Sequence, residues 1–358
     1  MNITVKTLNR TALLALAPFI GILFWLLASD PAIQLSEEAF PQPASERLPL
    51  PGTDISGASA GLDQAKETAV LTAQSIRKQI RLYNQTNADM AKISALAASQ
   101  AVRPLIIYDR GITGKLGKPS GIIESDNIRA QLYHIQTQNF KAYALKVKLK
   151  SDDAMKMTLG GDEVGKSETT LQAVNRHKAI AGINAGGFAD GGGKRYPLST
   201  TIVDGKYASG FQASYADLFF VGLNERNELI GGKYLTKQQL DAKKPKFGAS
   251  FVPILMRGGA KQPIPAKWQT SPRRAPRTVI ANYKDDQLLF LVTDGYDEFG
   301  SSGATLEEMQ ILLQRYGAVD GYNLDGGGSS SLIFNGRVVN KPSDGQLRKL
   351  PTHFLFFK

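Results

Sequence analysis

One segment near the C-terminus restricts what this chain can fold into, because a short apolar run ends in an aspartate and continues through glycines and serines. The segment reads Tyr322-Asn323-Leu324-Asp325-Gly326-Gly327-Gly328-Ser329-Ser330-Ser331. Consecutive glycines let the backbone turn tightly and approach a ligand closely. A carboxylate beside such a turn can act as an acid, a base or a nucleophile on whatever the turn holds. The segment therefore predicts a site at the end of a strand, centred on Asp325.

A second apolar run, residues 288–292, leads to Thr293 and Asp294-Gly295. Between the two runs, residues 305–316 predict an amphipathic helix with Thr305 as N-cap and Glu308 at the capping-box position. A helix that crosses back over a sheet places the ends of both strands at one edge, where sites usually form. We therefore expect Asp294 and Asp325 at the same edge. The alternative for Asp294 is an Asp-Gly pair that only makes a turn.

Two further segments supply polar groups. Residues 179–183 predict a buried strand that leads to Asn184 and to the glycines at 186 and 187. The amide of Asn184 can bind a sugar hydroxyl or orient a water, and a tight turn is the alternative for Gly186. Arg277 precedes a predicted strand, and its guanidinium fork matches the oxygens of a phosphate or a carboxylate.

Composition excludes several kinds of chemistry. The chain has no cysteine, so thiol nucleophiles, disulfides and zinc–thiolate sites are excluded, and its 3 histidines are too few for a multi-histidine metal site. No Gly-x-Ser-x-Gly occurs in a strand-turn-helix setting, and the dinucleotide fingerprint Gly-x-Gly-x-x-Gly does not occur in the sequence. The net charge of +11 is diffuse, and the basic clusters at 243–246 and 273–277 carry no interleaved aromatic residues; a solvated surface is the alternative for these clusters. We therefore expect an anionic glycan or membrane surface as partner, and no nucleic acid.

The N-terminal part predicts export. Lys6 and Arg10 precede an uncharged, mostly apolar run over residues 11–29. This pattern is typical of an N-terminal membrane anchor, with a cleaved secretory signal as the alternative. In either case the bulk of the chain is expected on the periplasmic or extracellular side, anchored to the cytoplasmic membrane if the segment is kept.

The rest of the chain is predicted to fold in three parts. A Pro- and Ser-rich linker precedes a helix whose apolar stripe fits either self-association or packing on the domain. Alternating runs such as residues 142–149, and a hairpin with Asn335-Gly336 at its turn, predict strands. The fold class is therefore α+β, a twisted mixed sheet with packed helices and glycine-rich loops that form a cleft. The predicted segments are 1–29 (anchor), 30–61 (linker), 62–100 (helical region) and 101–358 (domain).

These motifs resemble the phosphodiester glycosidase family over about residues 140–358. The residues that carry the resemblance are Pro276-Arg277-Thr278, Thr293-Asp294-Gly295, Thr305-Leu306 with Glu308-Met309, Asn323 through Ser330, and Asn340 with Pro342-Ser343-Asp344. The chain departs from the family pattern after Asn184, where the family usually reads Gly-Gly-Phe-Phe. It also has Tyr296 where bacterial members often carry arginine. Both departures affect the predicted sugar pocket more than the fold.

The resemblance implies hydrolysis of the glycosidic bond of a sugar-1-phosphodiester, such as a GlcNAc-1-phosphate diester, in envelope or exopolysaccharide glycans. It implies Asp325, Asp294 and Glu308 as catalytic residues. The substrate-binding residues it implies are Asn184, Gly186, Arg277, Gly326, Gly327, Gly328, Ser329, Ser330, Ser343 and Asp344. No cofactor is required, and a Ca²⁺ site near the acids is left open. Two alternatives remain: an envelope module that binds anionic glycan or peptidoglycan without catalysis, and a phosphodiesterase that cuts the P–O bond.

Overall fold

A computed structural model describes residues 55–295 and 302–358. The predicted anchor, most of the predicted linker and Tyr296 lie outside these described residues. Within them, no helix is both long and apolar enough to cross a membrane. The chain divides into two units, Met1–Ala88 and Asp89–Lys358.

The described residues contain five α-helices, and three of them begin with a capping box. The capping threonines are Thr169, Thr236 and Thr305, so the N-terminus predicted for the helix after Asp294 is confirmed. The first helix runs through the asparagines at 84 and 87, because an asparagine in an exposed helix interior costs less than about 0.7 kcal/mol. The helices are α1 (Ile55–Leu116), α2 (Thr170–His177), α3 (Lys237–Asp241), α4 (Ala266–Thr270) and α5 (Leu306–Tyr316).

The described strands follow one another along the chain with mostly short connections. They are β1 (Gly121–Glu124), β2 (Ile128–Gln136), β3 (Lys141–Leu149), β4 (Met155–Leu159), β5 (Ala181–Asn184), β6 (Phe188–Gly191), β7 (Lys194–Pro197), β8 (Ile202–Val203), β9 (Lys206–Tyr207), β10 (Phe219–Asn224), β11 (Leu229–Gly232), β12 (Pro245–Phe251), β13 (Ile254–Arg257), β14 (Ala260–Lys261), β15 (Thr278–Asn282), β16 (Leu288–Thr293), β17 (Gly321–Leu324), β18 (Leu332–Phe334), β19 (Arg337–Val338) and β20 (Thr352–Phe356).

These strands form three antiparallel sheets and a separate hairpin. An eight-stranded sheet has the order β1-β2-β3-β16-β15-β17-β13-β14, and the five-stranded sheets have the orders β11-β10-β12-β8-β9 and β19-β18-β5-β20-β4. The hairpin consists of β6 and β7. The α+β class is confirmed, but the single mixed sheet was wrong, since the described strands pair antiparallel. The reason is that β15 lies between β16 and β17 and runs against both of them.

The three sheets share one aromatic core. Phe354 of β20 lies 6.1 Å from Phe247 of β12 and 6.3 Å from Phe290 of β16, measured between ring centroids. Phe219 of β10 lies 5.3 Å from Tyr322 of β17. The opposite face of the eight-stranded sheet is covered by α5. The contact between Phe219 and Tyr322 fixes β17, the strand that leads to Asp325, against the neighbouring sheet.

The last part of α1 packs within the second unit. Ile112 and Leu116 are buried against the eight-stranded sheet. Asp109 pairs with Lys146, whose side chain is only 1% exposed, and also accepts a hydrogen bond from Gln287 at 2.8 Å. A buried charge is costly unless it is paired, so this contact determines how the end of α1 attaches. In the first unit, by contrast, the described residues of α1 are exposed.

Candidate active site

The topology brings the two predicted aspartates to the same edge of the eight-stranded sheet. Val292 and Leu324 both pair with Thr278, and their strands both run antiparallel to β15. The two strands therefore run in the same direction, and Asp294 and Asp325 follow their ends. The crossover through α5 passes over one strand. The expectation of a shared edge is confirmed.

Asp325 is held in a buried setting with unused acceptor capacity. Its Oδ2 is inaccessible to solvent and accepts no hydrogen bond among the described residues. Burial raises the pKa of Asp325 to about 6, against the lowering effects of the Ser329 hydroxyl, Arg348, the Gly326 N–H and Arg195. A carboxylate with a pKa near the working pH is well suited to accept a proton from water.

Asn184 holds Asp325 in place from the neighbouring sheet. Its Nδ2 donates to the Asp325 carbonyl oxygen at 2.7 Å, and its Oδ1 accepts from the Thr278 hydroxyl at 2.9 Å and the Ser331 N–H at 3.0 Å. The Asp325 N–H in turn donates to the Ala185 carbonyl at 3.2 Å. Because Asn184 is fully buried, these contacts make it a positioning residue. Its predicted contact with a sugar stays a prediction.

The glycines are needed for two different reasons. Gly327 has a left-handed φ of 59° and nothing within 4 Å of a Cβ position, so it forms an open part of the turn. Gly186 instead allows close packing, since a Cβ there would lie 2.6 Å from the Cβ of Ala249. We call residues 326–329 the glycine turn. Its Gly327 N–H donates to the Pro276 carbonyl at 2.8 Å, which ties the turn to the start of β15.

The serines after the glycine turn separate into two roles. The Ser330 hydroxyl lies 3.2 Å from that of Thr278, and the Ser331 hydroxyl lies 2.6 Å from that of Thr170, so both face a buried polar network. Ser329 is directed toward Arg348, whose Nη1 is 3.4 Å from its hydroxyl oxygen. Ser329 is therefore the serine that shares the surroundings of the Asp325 carboxylate.

Two arginines that the sequence did not indicate complete the site. Arg348 donates through Nη2 to Asp344 Oδ2 at 2.8 Å. Arg195 forms a bidentate pair with Asp190, at 2.7 and 3.0 Å, and its guanidinium lies 4.1 Å above the Phe188 ring. Both guanidiniums are near enough to lower the pKa of Asp325, so the carboxylate lies in a positive field. The available signals were a basic residue just after the glycines at 191–193, and a basic residue four positions after Asp344.

Asp294 is engaged with a loop that approaches the site. Its Oδ2 accepts from the Tyr143 hydroxyl at 2.9 Å, and its Oδ1 accepts from the Lys341 N–H at 2.7 Å. Burial, followed by the charge of Asp294, raises the pKa of Tyr143, so this tyrosine stays a donor. Asp294 therefore positions the start of the loop that carries Ser343 and Asp344. Ser343 itself donates to Asp344 Oδ1 at 3.2 Å.

The remaining predicted residues are engaged in structural contacts. Glu308 accepts from the Thr305 N–H at 2.8 Å and pairs with Arg274 at 2.5 Å. Burial opposes ionisation of Glu308, yet these donors and Asn139 hold its pKa below the usual range. Arg277 is buried and donates to the carbonyls of Ala304 at 3.1 Å and Pro272 at 2.8 Å. The catalytic role of Glu308 and the substrate-binding role of Arg277 stay predictions.

A group of three or more histidine or carboxylate side chains placed to hold a metal ion is not present in the parts of the chain that the structure describes. Of the two aspartates at the shared edge, Asp325 has the unused oxygen and Asp294 has two donors. These residues therefore do not provide the ligands for the Ca²⁺ site that the sequence left open.

A family model covers the part of the chain that carries these residues. The model of the phosphodiester glycosidase family matches residues 177–357, which is half of the chain. The matched segment contains Asn184, Arg195, Asp294, Asp325 and Arg348. The chain therefore belongs to the phosphodiester glycosidase family.

Relatives match over part of their length. The chain is 27% identical over 184 residues to an SPbeta prophage-derived uncharacterized protein YomE of Bacillus subtilis, covering 50% of this chain and 28% of that protein. It is 38% identical over 68 residues to human N-acetylglucosamine-1-phosphodiester alpha-N-acetylglucosaminidase, covering 19% of this chain and 13% of that enzyme. The chain thus spans about a quarter or less of these curated relatives.

Solved structures show the same fold. The catalytic domain of the zebrafish N-acetylglucosamine-1-phosphodiester alpha-N-acetylglucosaminidase superposes with a TM-score of 0.53 at 20% identity, covering 68% of this chain and 86% of that domain. A hypothetical protein from Synechocystis gives a TM-score of 0.54 at 14% identity, covering 68% of this chain and 64% of that one. At these identities the likeness concerns the fold alone.

Proposed function

We propose that this chain hydrolyses the glycosidic bond of a sugar-1-phosphodiester at Asp325, and that its substrate is an envelope or exopolysaccharide glycan. The observation that carries the proposal is the Asp325 carboxylate itself. It has a buried, unpartnered Oδ2 and lies beside an open glycine turn, with two guanidiniums nearby. Membership of a family of glycosidases supports the reaction class.

In the proposed reaction, water adds to the anomeric carbon and the bond from that carbon to the phosphate oxygen breaks. The phosphate keeps the oxygen that joined it to the sugar and leaves as the phosphate monoester of the other alcohol. Asp325 takes the proton from the attacking water, or attacks the carbon itself and is released by water in a second step. Either route requires the ionised carboxylate. The pKa of about 6 allows ionisation at neutral pH.

The charges around Asp325 suit the leaving group. A phosphodiester carries one negative charge, and the released monoester acquires a second one near neutral pH. Arg348 and Arg195 are cations whose attraction grows as that charge develops. Interactions that are stronger in the transition state than in the ground state are those that accelerate a reaction. A phosphate leaving group also needs little protonation, so no strong general acid is required.

Product identification tests this proposal. The full-length chain is incubated with a panel of sugar-1-phosphodiesters, including GlcNAc-1-phosphate esters, and the products are read by mass spectrometry. Free sugar and the phosphate monoester of the other alcohol are expected. The Asp325→Asn variant should form neither. Sugar-1-phosphate with a free alcohol would indicate a phosphodiesterase that cuts the P–O bond. Glycan binding without turnover would favour the non-catalytic envelope module.

A further inference from the structure

The Arg348–Asp344 ion pair lies directly on the glycine turn. A Cβ on Gly328 would collide with the guanidinium of Arg348 and with the carboxylate of Asp344, so only glycine permits this approach. Arg348 also reaches toward the hydroxyl of Ser329 at 3.4 Å. The Asp344 carboxylate thus pairs with Arg348 beside the glycine turn, which directly follows Asp325.

The two arginines of the site differ in how firmly they are held. Arg195 is fixed by both oxygens of Asp190, by the Lys349 carbonyl and by the ring of Phe188. Arg348 has one carboxylate oxygen as its close partner, and the side chains of this pair are 36% and 47% exposed. Exposed ion pairs contribute little to stability. Arg348 is therefore the guanidinium that can change partners at low cost.

The backbone of the segment that carries Asp344 is held on both sides of this residue. Gly345 follows with a left-handed φ of 72°, and the Gly345 N–H donates to the Pro342 carbonyl at 3.1 Å, which closes a tight turn. The start of the segment stays fixed through the Lys341 N–H on Asp294. A rotation confined to the Asp344 side chain is therefore enough to uncover Arg348.

We propose that Asp344 is the resident counter-ion of a phosphate subsite formed by Arg348 and the glycine turn, and that the substrate's phosphate displaces it. Carboxylate and phosphate oxygens both fit the guanidinium fork, so a phosphate can take the place of Asp344 on Arg348. The inference rests on the proposed function and changes the role predicted for Asp344 from a substrate contact to a competitor. It also makes the site selective, since a neutral glycoside has no anion with which to displace the carboxylate.

Calorimetric binding of inorganic phosphate to the full-length chain tests this proposal without turnover. Removing the competing charge in Asp344→Asn should tighten phosphate binding by a factor of about 2 to 5, the range that an exposed ion pair can withhold. Arg348→Gln should abolish measurable binding, and Arg348→Lys should keep part of it. The matched control is Asp241→Asn, which breaks another exposed pair of the same i,i+4 spacing, Lys237–Asp241, on α3.

Unchanged or weaker phosphate binding in Asp344→Asn would overturn the proposal, because Asp344 would then orient Arg348 instead of competing for it. Unchanged binding in Arg348→Gln, or the same gain in Asp241→Asn, would also overturn it. A chain that shows the gain in Asp344→Asn but turns over no phosphodiester would refute the hydrolase while supporting the phosphate subsite. Turnover with unaltered phosphate affinity would overturn the subsite alone.

Discussion

Replacing Asp325 with asparagine is expected to abolish turnover and, near neutral pH, to stabilise the fold. Burial raises the pKa of this carboxyl from 3.8 to about 6. A difference of about two pKa units corresponds to about 3 kcal/mol, the cost of keeping the folded carboxyl ionised. Solvent reaches part of this half-buried residue and screens its charge, so we expect a gain of about 1 to 3 kcal/mol.

The sign of the pH dependence follows from the raised pKa. The stability linked to the protonated carboxyl is fully present below the unfolded pKa of 3.8 and is lost as the pH rises through the folded pKa of about 6. Asparagine behaves as a permanently neutral carboxyl. The free energies of unfolding of Asp325→Asn and wild type should therefore differ least near pH 4 and diverge toward pH 7, with the variant more stable.

Urea denaturation between pH 4 and pH 8 measures this difference. Asp126→Asn, which removes an exposed carboxylate in the turn between β1 and β2, is the control for the substitution itself. A difference for Asp325→Asn that does not change with pH would refute the reasoning. So would a variant that is less stable than wild type at pH 7, because the ionised carboxylate would then contribute to the fold.

Three further predictions concern activity, the loop and the first helix. In steady-state assays, kcat/KM should rise through pH about 6 as Asp325 ionises, and a flat pH profile would contradict its role as base or nucleophile. Arg348→Gln should move this rise to higher pH, because it removes a charge that lowers the pKa of Asp325. Tyr143→Phe should cost about 1 to 3 kcal/mol in urea denaturation by removing a donor from buried Asp294, and no loss would show that the bond is dispensable. We propose from the spacing of its exposed apolar residues that α1 pairs two copies of the chain. Ile76→Glu should then dissociate the dimer in sedimentation velocity, and a monomeric wild type would exclude this pairing.

The features that the sequence predicts well are those set by neighbours in the chain. The capping box at Thr305, the hairpin at Asn335-Gly336 and the strand that ends at Asp325 each depend on a few consecutive residues. The shared edge of Asp294 and Asp325 also follows, because a helix between two strands restricts their directions.

The features that the sequence does not predict depend on pairing between distant segments. The predicted mixed sheet was wrong because β15 lies between β16 and β17 and pairs antiparallel with both. No pattern of neighbouring residues encodes this arrangement. Arg195 and Arg348 approach Asp325 from a hairpin and from a C-terminal loop, and each looks like a surface residue when read locally. The pairing of Asp109 with buried Lys146 is likewise visible only in three dimensions.

The most direct test of the central claim is hydrolysis of a sugar-1-phosphodiester by the full-length chain in H₂¹⁸O, with the phosphate monoester analysed by mass spectrometry. Attack of water at the anomeric carbon leaves every phosphate oxygen in place, so the account predicts a monoester without ¹⁸O. It also predicts no product from Asp325→Asn. A monoester that contains ¹⁸O would contradict the account, because water would then have attacked phosphorus.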